Sequence, residues 1–521
     1  MRVMGTSMAA AAMAKAGKAA GEALMGRSKR PNIIVILADD MGYSDLGCYG
    51  SEIRTSNLDG LANDGIRFTQ FYCAARCCPS RATLLTGLYP HQAGMGKMVS
   101  EPDKQVEPGP YQGYLNDRCV TIAEVLKQTG YRTYMSGKWH VGEAAEHWPR
   151  KRGFDRYFGL ISGASSYWEI LEQEGRTRRM ALDDAPFKPE PGDYYMTDVF
   201  ADFAVECLEG HRGGDQPFFL YLAFTAPHWP LHAWPEDIAR YRGKYDEGWD
   251  ALRQERHKRM LDLGIVDSKW ALSPRDEEVR PWDEAENKDD WSLRMAVYAA
   301  MIDRMDQGIG RVLDTVKQMG AEDNTLVLFL SDNGGCHESV AGRKLDQPGT
   351  QPGERGSFVA YERPWANASN TPFRLFKHWI HEGGISTPLI ARWPAVIKQR
   401  GELTHQVGHI IDIMATCIDV AGTTYPETFD GKPITPLEGK SLLPVFENRT
   451  REPHEALFWE HFKNRGVRQG KWKLVATKAG DWELYDLDAD RTELHSLLET
   501  HPEKAKELNA LYDAWAARVG V

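Results

Sequence analysis

The chain has 521 residues and a formal net charge of −11, with 42% hydrophobic and 26% charged residues, which is typical of a globular protein with a large core. The acidic balance excludes a broad basic surface for nucleic acid, although a local cluster of cations would still suit an anionic substrate. Eight cysteines are too few for a disulfide scaffold, and no run of ~18 apolar residues offers a membrane span.

Residues 1–30 are rich in alanine and carry six basic residues against one acid, Glu22. Lys15 and Lys18 interrupt the apolar run before it reaches the ~7 to 15 residues of a secretory core. We predict a poorly ordered or targeting-like extension here. A frayed helix and a wrongly assigned start codon are the alternatives.

Four apolar runs predict buried parallel strands, because they are short and do not alternate with polar residues. The runs are Ile33–Ala38, Tyr131–Met135, Phe218–Phe224 and Thr325–Leu330. Polar residues follow each run in turn: Asp39 and Asp40, Lys138 and His140, His228, and Asp332 and Asn333. Since ligands gather at the carboxyl ends of parallel strands, we expect these side chains to meet at one edge of the sheet.

Each of these residues alone has a plainer interpretation, because an aspartate after a strand is commonly a cap or turn residue and a lone histidine a hydrogen-bonding one. The recurrence of polar residues after four predicted strands favours a functional site over four separate structural roles. Helical segments lie between the runs, at Thr121–Gln128, Tyr298–Met319 and, later, Ile410–Val420. This alternation predicts a mainly parallel sheet covered by helices on both faces.

Two further regions differ in composition from the alternating strands and helices. Residues 241–291 are dense in charge, which indicates a solvated surface excursion, with part of a substrate mouth as the alternative. After Lys440, short strand candidates precede an amphipathic helix at His501–Val519. We therefore predict a main catalytic domain over residues 31–440 and a small C-terminal subdomain, an antiparallel sheet plus a helix, over residues 441–521.

The sequence Cys77-Cys78-Pro79-Ser80-Arg81 leads into a segment of helical composition that Gly87 ends. This order places Cys77 near a helix N-terminus, where free N–H groups and a guanidinium favour an anion. The alternative is a pair of buried, inert thiols beside a turn.

The acids and the amide at the strand ends, Asp39, Asp40, Asp332 and Asn333, offer only oxygen ligands. Such a set suits calcium or magnesium better than zinc.

The run from Cys77 resembles the sulfatase signature Cys-x-Pro-Ser-Arg followed by Thr-Gly. Further matches are Lys138 and His140 to a Lys-x-His motif, His228 to a Pro-His pair, and Lys377 to a lysine before a Glu-Gly-Gly turn. The resemblance extends over nearly the whole chain from about residue 31, and several segments look like soluble bacterial arylsulfatases. It implies an alkaline-phosphatase-like α/β fold, with a large mixed sheet between helices.

The resemblance also implies hydrolysis of a sulfate ester to sulfate and an alcohol or phenol. A formylglycine-generating enzyme would convert Cys77 to formylglycine, and Ca²⁺, with Mg²⁺ as the alternative, would be held by Cys77, Asp39, Asp40, Asp332 and Asn333. The implied catalytic residues are Cys77, Arg81, Lys138, His140, His228 and Lys377. The substrate is expected to be a sulfated small molecule or glycan.

Two other functions stay open at this point. A phosphonate or phosphate ester hydrolase of the same superfamily would use a similar site, because tetrahedral oxyanions look alike. A non-catalytic protein that binds sulfated glycans would be expected to lack Cys77 or the acids, and both are present. A two-zinc phosphatase is disfavoured because the metal quartet contains no histidine. The compartment, bacterial cytoplasm or periplasm, is left open.

Overall fold

The structure is a computed structural model that describes residues 30–101, 104, 106–173, 176–190, 192–478 and 480–521. The predicted N-terminal extension therefore lies outside the described residues, apart from Arg30. Among the helices that are described, none combines the length and the apolar composition needed to cross a bilayer.

The strands in chain order are β1 Asn32–Ala38, β2 Ile66–Tyr72, β3 Arg132–Gly137, β4 Arg156–Leu160, β5 Glu172–Gln173, β6 Arg176–Thr177, β7 Met180–Leu182, β8 Ala185–Pro186, β9 Phe218–Ala223, β10 Thr325–Ser331, β11 Ser386–Arg392, β12 Glu402–Thr404, β13 Gly408–His409, β14 Thr428–Phe429, β15 Lys432–Pro433, β16 Leu457–His461, β17 Asn464–Gln469, β18 Trp472–Ala476 and β19 Glu483–Asp486. The helices are α1 Ser56–Asn63, α2 Cys77–Thr86, α3 Ile122–Gln128, α4 Met196–His211, α5 Pro235–Ala239, α6 Gly248–Asp262, α7 Lys288–Gln318, α8 Glu362–Ser369, α9 Glu382–Ile385, α10 Asp412–Val420, α11 Leu443–Phe446 and α12 Pro502–Val519.

One sheet of eleven strands dominates the molecule, and β1 lies near its middle. β1 pairs in parallel with β10 on one side and with β9 on the other, and β3 and β4 continue the parallel order beyond β9. β11 and β7 run antiparallel to their neighbours, so the sheet is mixed. The predicted fold class, including the separate small antiparallel sheet near the C-terminus, is confirmed.

β1 divides its side chains between two cores, because successive residues of a strand point to opposite faces. Ile34 and Ile36 join the core that includes residues of α4 and α7. Ile33, Val35 and Leu37 join the core that includes residues of α2, α3 and α10. All of these β1 side chains are fully buried, which explains the absence of alternation in the sequence.

The charge-dense segment at residues 241–291 is more buried than its composition indicates. Its helical part is α6, and one residue of that helix, Arg256, is wholly enclosed. The Arg256 guanidinium pairs with Asp45 at 2.6 Å and with Glu52 at 2.9 Å. The interpretation of residues 241–291 as a solvated surface segment is therefore wrong for the inner face of α6, because charges on that face pair with acids in the loop after β1.

The long helix α7 begins at Lys288, earlier than the predicted start at Tyr298. Its first turn holds Asp289 and Asp290. Carboxylates stabilise a helix N-terminus, so the charged turn belongs to the helix.

The C-terminal sheet, of order β16-β17-β18-β19, packs against the main sheet through both apolar and ionic contacts. Lys473 of β18 is buried and pairs with Glu382 at 2.9 Å and with Glu493 at 2.8 Å. Glu382, at the start of α9, also pairs with Arg491 at 3.1 Å. The domain boundary at residue 440 stays a prediction.

We predict that Lys473→Met lowers the free energy of unfolding by about 3–5 kcal/mol, because Glu382 and Glu493 would stay buried without their shared cation. Urea denaturation followed by circular dichroism measures the change. The matched control is Lys471→Met, since Lys471 is 46% exposed and pairs with Asp486. That variant should leave the free energy of unfolding close to the wild-type value, and equal effects of the two substitutions would contradict the account.

Candidate active site

Helix α2 places Cys77 at its first position, and every residue of the helix is buried. Pro79 is tolerated in this first turn because its missing N–H has no helical partner there. The Ser80 hydroxyl accepts a hydrogen bond from the Ala74 amide at 2.9 Å, which ties the preceding loop to the helix. Gly87 ends the helix in the left-handed region, at φ 67°. The thiol is thus fixed at a helix N-terminus.

The environment of Cys77 favours its anionic form. A hydrogen bond with Cys78 lowers the pKa of the Cys77 thiol well below its usual range, and burial opposes this effect. Lys138 and His140 lower the pKa of the thiol further. Position 77 therefore favours an anion, through the Cys78 hydrogen bond first and the Lys138 ammonium second.

The two strands β1 and β10 bring the predicted metal ligands together. Their parallel register sets Ala38 opposite Ser331, so Asp39 and Asp40 emerge beside Asp332 and Asn333. The Asp40 amide donates to Asp332 Oδ1 at 3.2 Å, and Asn333 Nδ2 donates to Asp40 Oδ1 at 2.7 Å. All four residues are buried.

Arg81 and Lys138 compensate the charge of these acids from the α2 side and from the end of β3. Arg81 donates to Asp332 Oδ2 from Nε at 3.1 Å and from Nη2 at 2.8 Å. Lys138 Nζ lies 2.5 Å from Asp39 Oδ2. Both cations are therefore engaged by carboxylates in this structure.

His228 and Lys377 both contact the carboxylate of Asp40. Lys377 Nζ lies 2.8 Å from Asp40 Oδ2 and 3.4 Å from His228 Nε2. His228 Nε2 is itself 3.3 Å from Asp40 Oδ2, and its Nδ1 contacts the Trp229 carbonyl oxygen at 2.6 Å. The histidine ring is thus held on both nitrogens, with an ammonium group beside Nε2.

His140 lies close to Cys77 and Cys78. A ligand atom of His140 and the sulfur atoms of Cys77 and Cys78 lie within 4.8 Å of one another. Neither ring nitrogen has a conventional hydrogen-bond partner among the described residues. Burial lowers the pKa of His140 to about 3, so the imidazole is neutral near pH 7.

The strand-end acids fit a hard divalent cation. Asp39 Oδ1 and Asn333 Oδ1 are buried oxygen atoms with no hydrogen-bond partner among the described groups. Burial raises the pKa of Asp39 to about 7, against the opposing effect of Lys138. Two unpartnered oxygen acceptors beside further carboxylates are the donor set that Ca²⁺ or Mg²⁺ prefers.

A histidine also lies near this predicted metal set. His228 and the carboxylates of Asp39 and Asp40 offer ligand atoms that lie within 4.8 Å of one another. This proximity agrees with the expectation from the sequence, because residue 228 follows β9, one of the four strands whose ends were predicted to meet at one edge of the sheet. Lys377 already contacts both His228 and Asp40, however, so this corner of the site holds a resident cation.

A cavity of about 280 Å³ opens above Cys77. Cys77, His140, His228 and Lys377 line it together with residues that the sequence argument did not single out: Arg76, Met98, Val99, Ser100, Glu101, Glu143, Trp229, Glu338 and Arg343. Gly163, Ala164 and Arg178 also line it, whereas none of the lining residues belongs to the charge-dense segment at 241–291. Two of these lining residues could have been suggested by the sequence, because they adjoin motif residues. Arg76 precedes Cys77, and Trp229 follows His228.

A family model described as Sulfatase matches residues 31–423, and one described as N-sulphoglucosamine sulphohydrolase, C-terminal, matches residues 373–514. The chain belongs to the sulfatase family. This sulfatase is 37% identical to an uncharacterized sulfatase of Schizosaccharomyces pombe, over 95% of each chain. It is 35% identical to an arylsulfatase of Klebsiella aerogenes, over 82% of this chain and 94% of that one.

Among solved structures, Ps i-CgsB in complex with k-i-k-neocarrahexaose is similar to this sulfatase with a TM-score of 0.70. The sequence identity is 25%, over 94% of this chain and 93% of that one. Together these matches confirm the predicted family and the enzyme class, a sulfuric ester hydrolase.

Proposed function

We propose that this sulfatase hydrolyses sulfate esters with residue 77 as the nucleophile, releasing inorganic sulfate and an alcohol or phenol. The observation that carries the proposal is the position of Cys77. It lies at the N-terminus of α2 and at the wall of a cavity that His140, His228 and Lys377 also line. This arrangement offers a nucleophile, a proton acceptor and a proton donor around one point.

The proposal includes conversion of Cys77 to formylglycine by a formylglycine-generating enzyme. The hydrated aldehyde supplies one hydroxyl that bonds to sulfur and a second whose deprotonation lets sulfate leave. An unmodified thiol lacks that second hydroxyl, so the group transferred to it would have no comparable route of release.

The four strand-end ligands, Asp39, Asp40, Asp332 and Asn333, would hold one Ca²⁺ or Mg²⁺ next to residue 77. The cation would supply positive charge to a sulfate oxygen and raise the acidity of a neighbouring hydroxyl. Arg81 and Lys138 receive a different role from the one expected, since their donors face Asp332 and Asp39. They orient the acids and limit the negative charge of the site.

Proton transfers are assigned to the two histidines. His228 donates to the leaving oxygen, with the Lys377 ammonium at 3.4 Å able to renew its proton. His140 accepts the proton that is lost when sulfate departs, because its imidazole is neutral and its nitrogens are unpartnered. Both rings line the same cavity as Cys77, so each can act at a different step of the reaction.

For the substrate we propose a sulfated small molecule or glycan. The cavity has the volume of a single ring rather than of a polymer, with Met98, Val99 and Trp229 as apolar walls. The complex of the similar Ps i-CgsB with a neocarrahexaose supports a carbohydrate.

The proposed reaction is tested by kcat/KM on matched aryl sulfate and aryl phosphate esters with the same leaving group. We expect the sulfate to be preferred, and Cys77→Ala to reduce its turnover to background while the circular dichroism spectrum is unchanged. Preference for the phosphate would instead establish the phosphate or phosphonate ester hydrolase. Binding of sulfated sugars without turnover of any ester would establish the non-catalytic alternative.

The role of His228 predicts a dependence on the leaving group. His228→Ala should slow aryl sulfates of poor leaving groups most, by about 10²- to 10⁴-fold, and those of good leaving groups least, because only poor leaving groups need a proton. The measurement is log kcat/KM against the pKa of the phenol, which should give a steeper slope for the variant. His454→Ala serves as the control, since His454 pairs with Asp412 outside the cavity. An equal loss across the series would remove His228 as the acid.

A further inference from the structure

The cavity wall carries a cation that the reaction scheme does not use. The Arg343 guanidinium lies over the Trp229 ring, with Cζ 4.5 Å from the ring centroid, and both residues line the cavity. A guanidinium stacked in this way is held in orientation by the face of the indole. Its N–H groups stay free for other contacts at the ring edge.

The other lining cations are occupied by groups of the protein. Arg76 pairs with Glu338 at 2.8 Å, and Lys377 pairs with Asp40 at 2.8 Å. Arg178 also takes part in an interaction within the protein. For the exposed guanidinium of Arg343, by contrast, no carboxylate or carbonyl partner is found among the described residues.

The acid that contacts Trp229 is already paired with another cation. Glu338 Oε2 accepts a hydrogen bond from Trp229 Nε1 at 3.2 Å, and Glu338 Oε1 faces Arg76. Glu338 therefore holds the indole at its ring nitrogen, while Arg343 stacks on the ring face. Within the part of the chain that the structure describes, no carboxylate pairs with Arg343, so its positive charge stays uncompensated at the cavity wall.

Arg343 stands on the side where the alcohol part of the substrate departs. Trp229 follows His228 in the chain, and the two ring centroids are 4.4 Å apart. His228 is the proposed donor to the leaving oxygen, so a leaving group bonded to that oxygen extends along Trp229 toward Arg343.

We propose that Arg343 is a specificity-determining residue that binds a second oxyanion, a carboxylate or a sulfate, on the alcohol part of the substrate. A planar guanidinium matches the two oxygens of such a group. The inference rests on the proposed function and narrows the expected substrate, because Arg343 would favour dianionic over monoanionic sulfate esters. The exposed position makes the contact sensitive to ionic strength.

The test compares three esters: meta-carboxyphenyl sulfate, the disulfate of resorcinol, and the uncharged analogue meta-carbamoylphenyl sulfate. We expect the wild type to prefer the first two by about tenfold in kcat/KM over the third, the effect of one charged hydrogen-bonded contact. The preference should fall toward one in Arg343→Ala and persist in part in Arg343→Lys. The charged ester that loses more in Arg343→Ala identifies the carboxylate or the second sulfate as the group bound.

The matched control is Arg465→Ala, because Arg465 stacks on Trp482 at 4.4 Å but does not line the cavity. The Arg465→Ala variant should prefer the two charged esters over the carbamoyl ester as strongly as the wild type does. An unchanged preference in Arg343→Ala would overturn the inference.

A second readout separates this inference from the proposed reaction. Calorimetry compares meta-carboxybenzenesulfonate with meta-carbamoylbenzenesulfonate, neither of which needs turnover. The wild type should bind meta-carboxybenzenesulfonate about tenfold more tightly than the carbamoyl analogue, and Arg343→Ala should lose this difference. That result supports the inference even if no ester is hydrolysed. Equal affinities in the wild type and the variant contradict it, whatever the activity.

Discussion

The parallel pairing of β1 with β10 is the constraint on which the site depends. It forces Asp39, Asp40 and Asp332 into one buried space, where like charges repel and water is excluded. Such a group of carboxylates persists only if cations are buried with it. Lys138, Arg81 and Lys377 reach it from the end of β3, from α2 and from the loop before α9. With β1 and β10, five separate parts of the chain must therefore fold together before the site exists.

Residue 77 gains its environment from the same arrangement. The cations that balance the acids, Lys138, Arg81 and Lys377, also interact electrostatically with the Cys77 thiol, which lies close to His140. Electrostatic balance thus links the metal ligands to the nucleophile. A change to one cation is expected to disturb both, which is why substitutions outside this network, at Arg343 for instance, are the cleaner probes of specificity.

The sequence predicted the parts of the fold that depend on local pattern. The runs that became β1, β3, β9 and β10 were recognisable because strands buried on both faces carry no alternation, and the polar residues after them mark one edge of the sheet. Helix α2 was recognisable from its proline and its terminal glycine. In both cases the pattern lies within about ten residues of chain.

What the sequence did not reveal depends on contacts between distant residues. Burial of Arg256 depends on Asp45 and Glu52, and the stacking of Arg343 on Trp229 joins residues more than a hundred positions apart. The engagement of Arg81 and Lys138 by carboxylates was missed for the same reason. A motif identifies which residue types are present, whereas their partners are set by the fold.

The central claim is that residue 77 acts as formylglycine. Its most direct test is mass spectrometry of the peptide containing residues 77 and 78, from protein purified in active form from its native host. The account predicts an aldehyde at position 77, trapped by a hydrazide reagent, and an unmodified thiol at Cys78. An active preparation in which position 77 carries only an unmodified thiol would contradict the account.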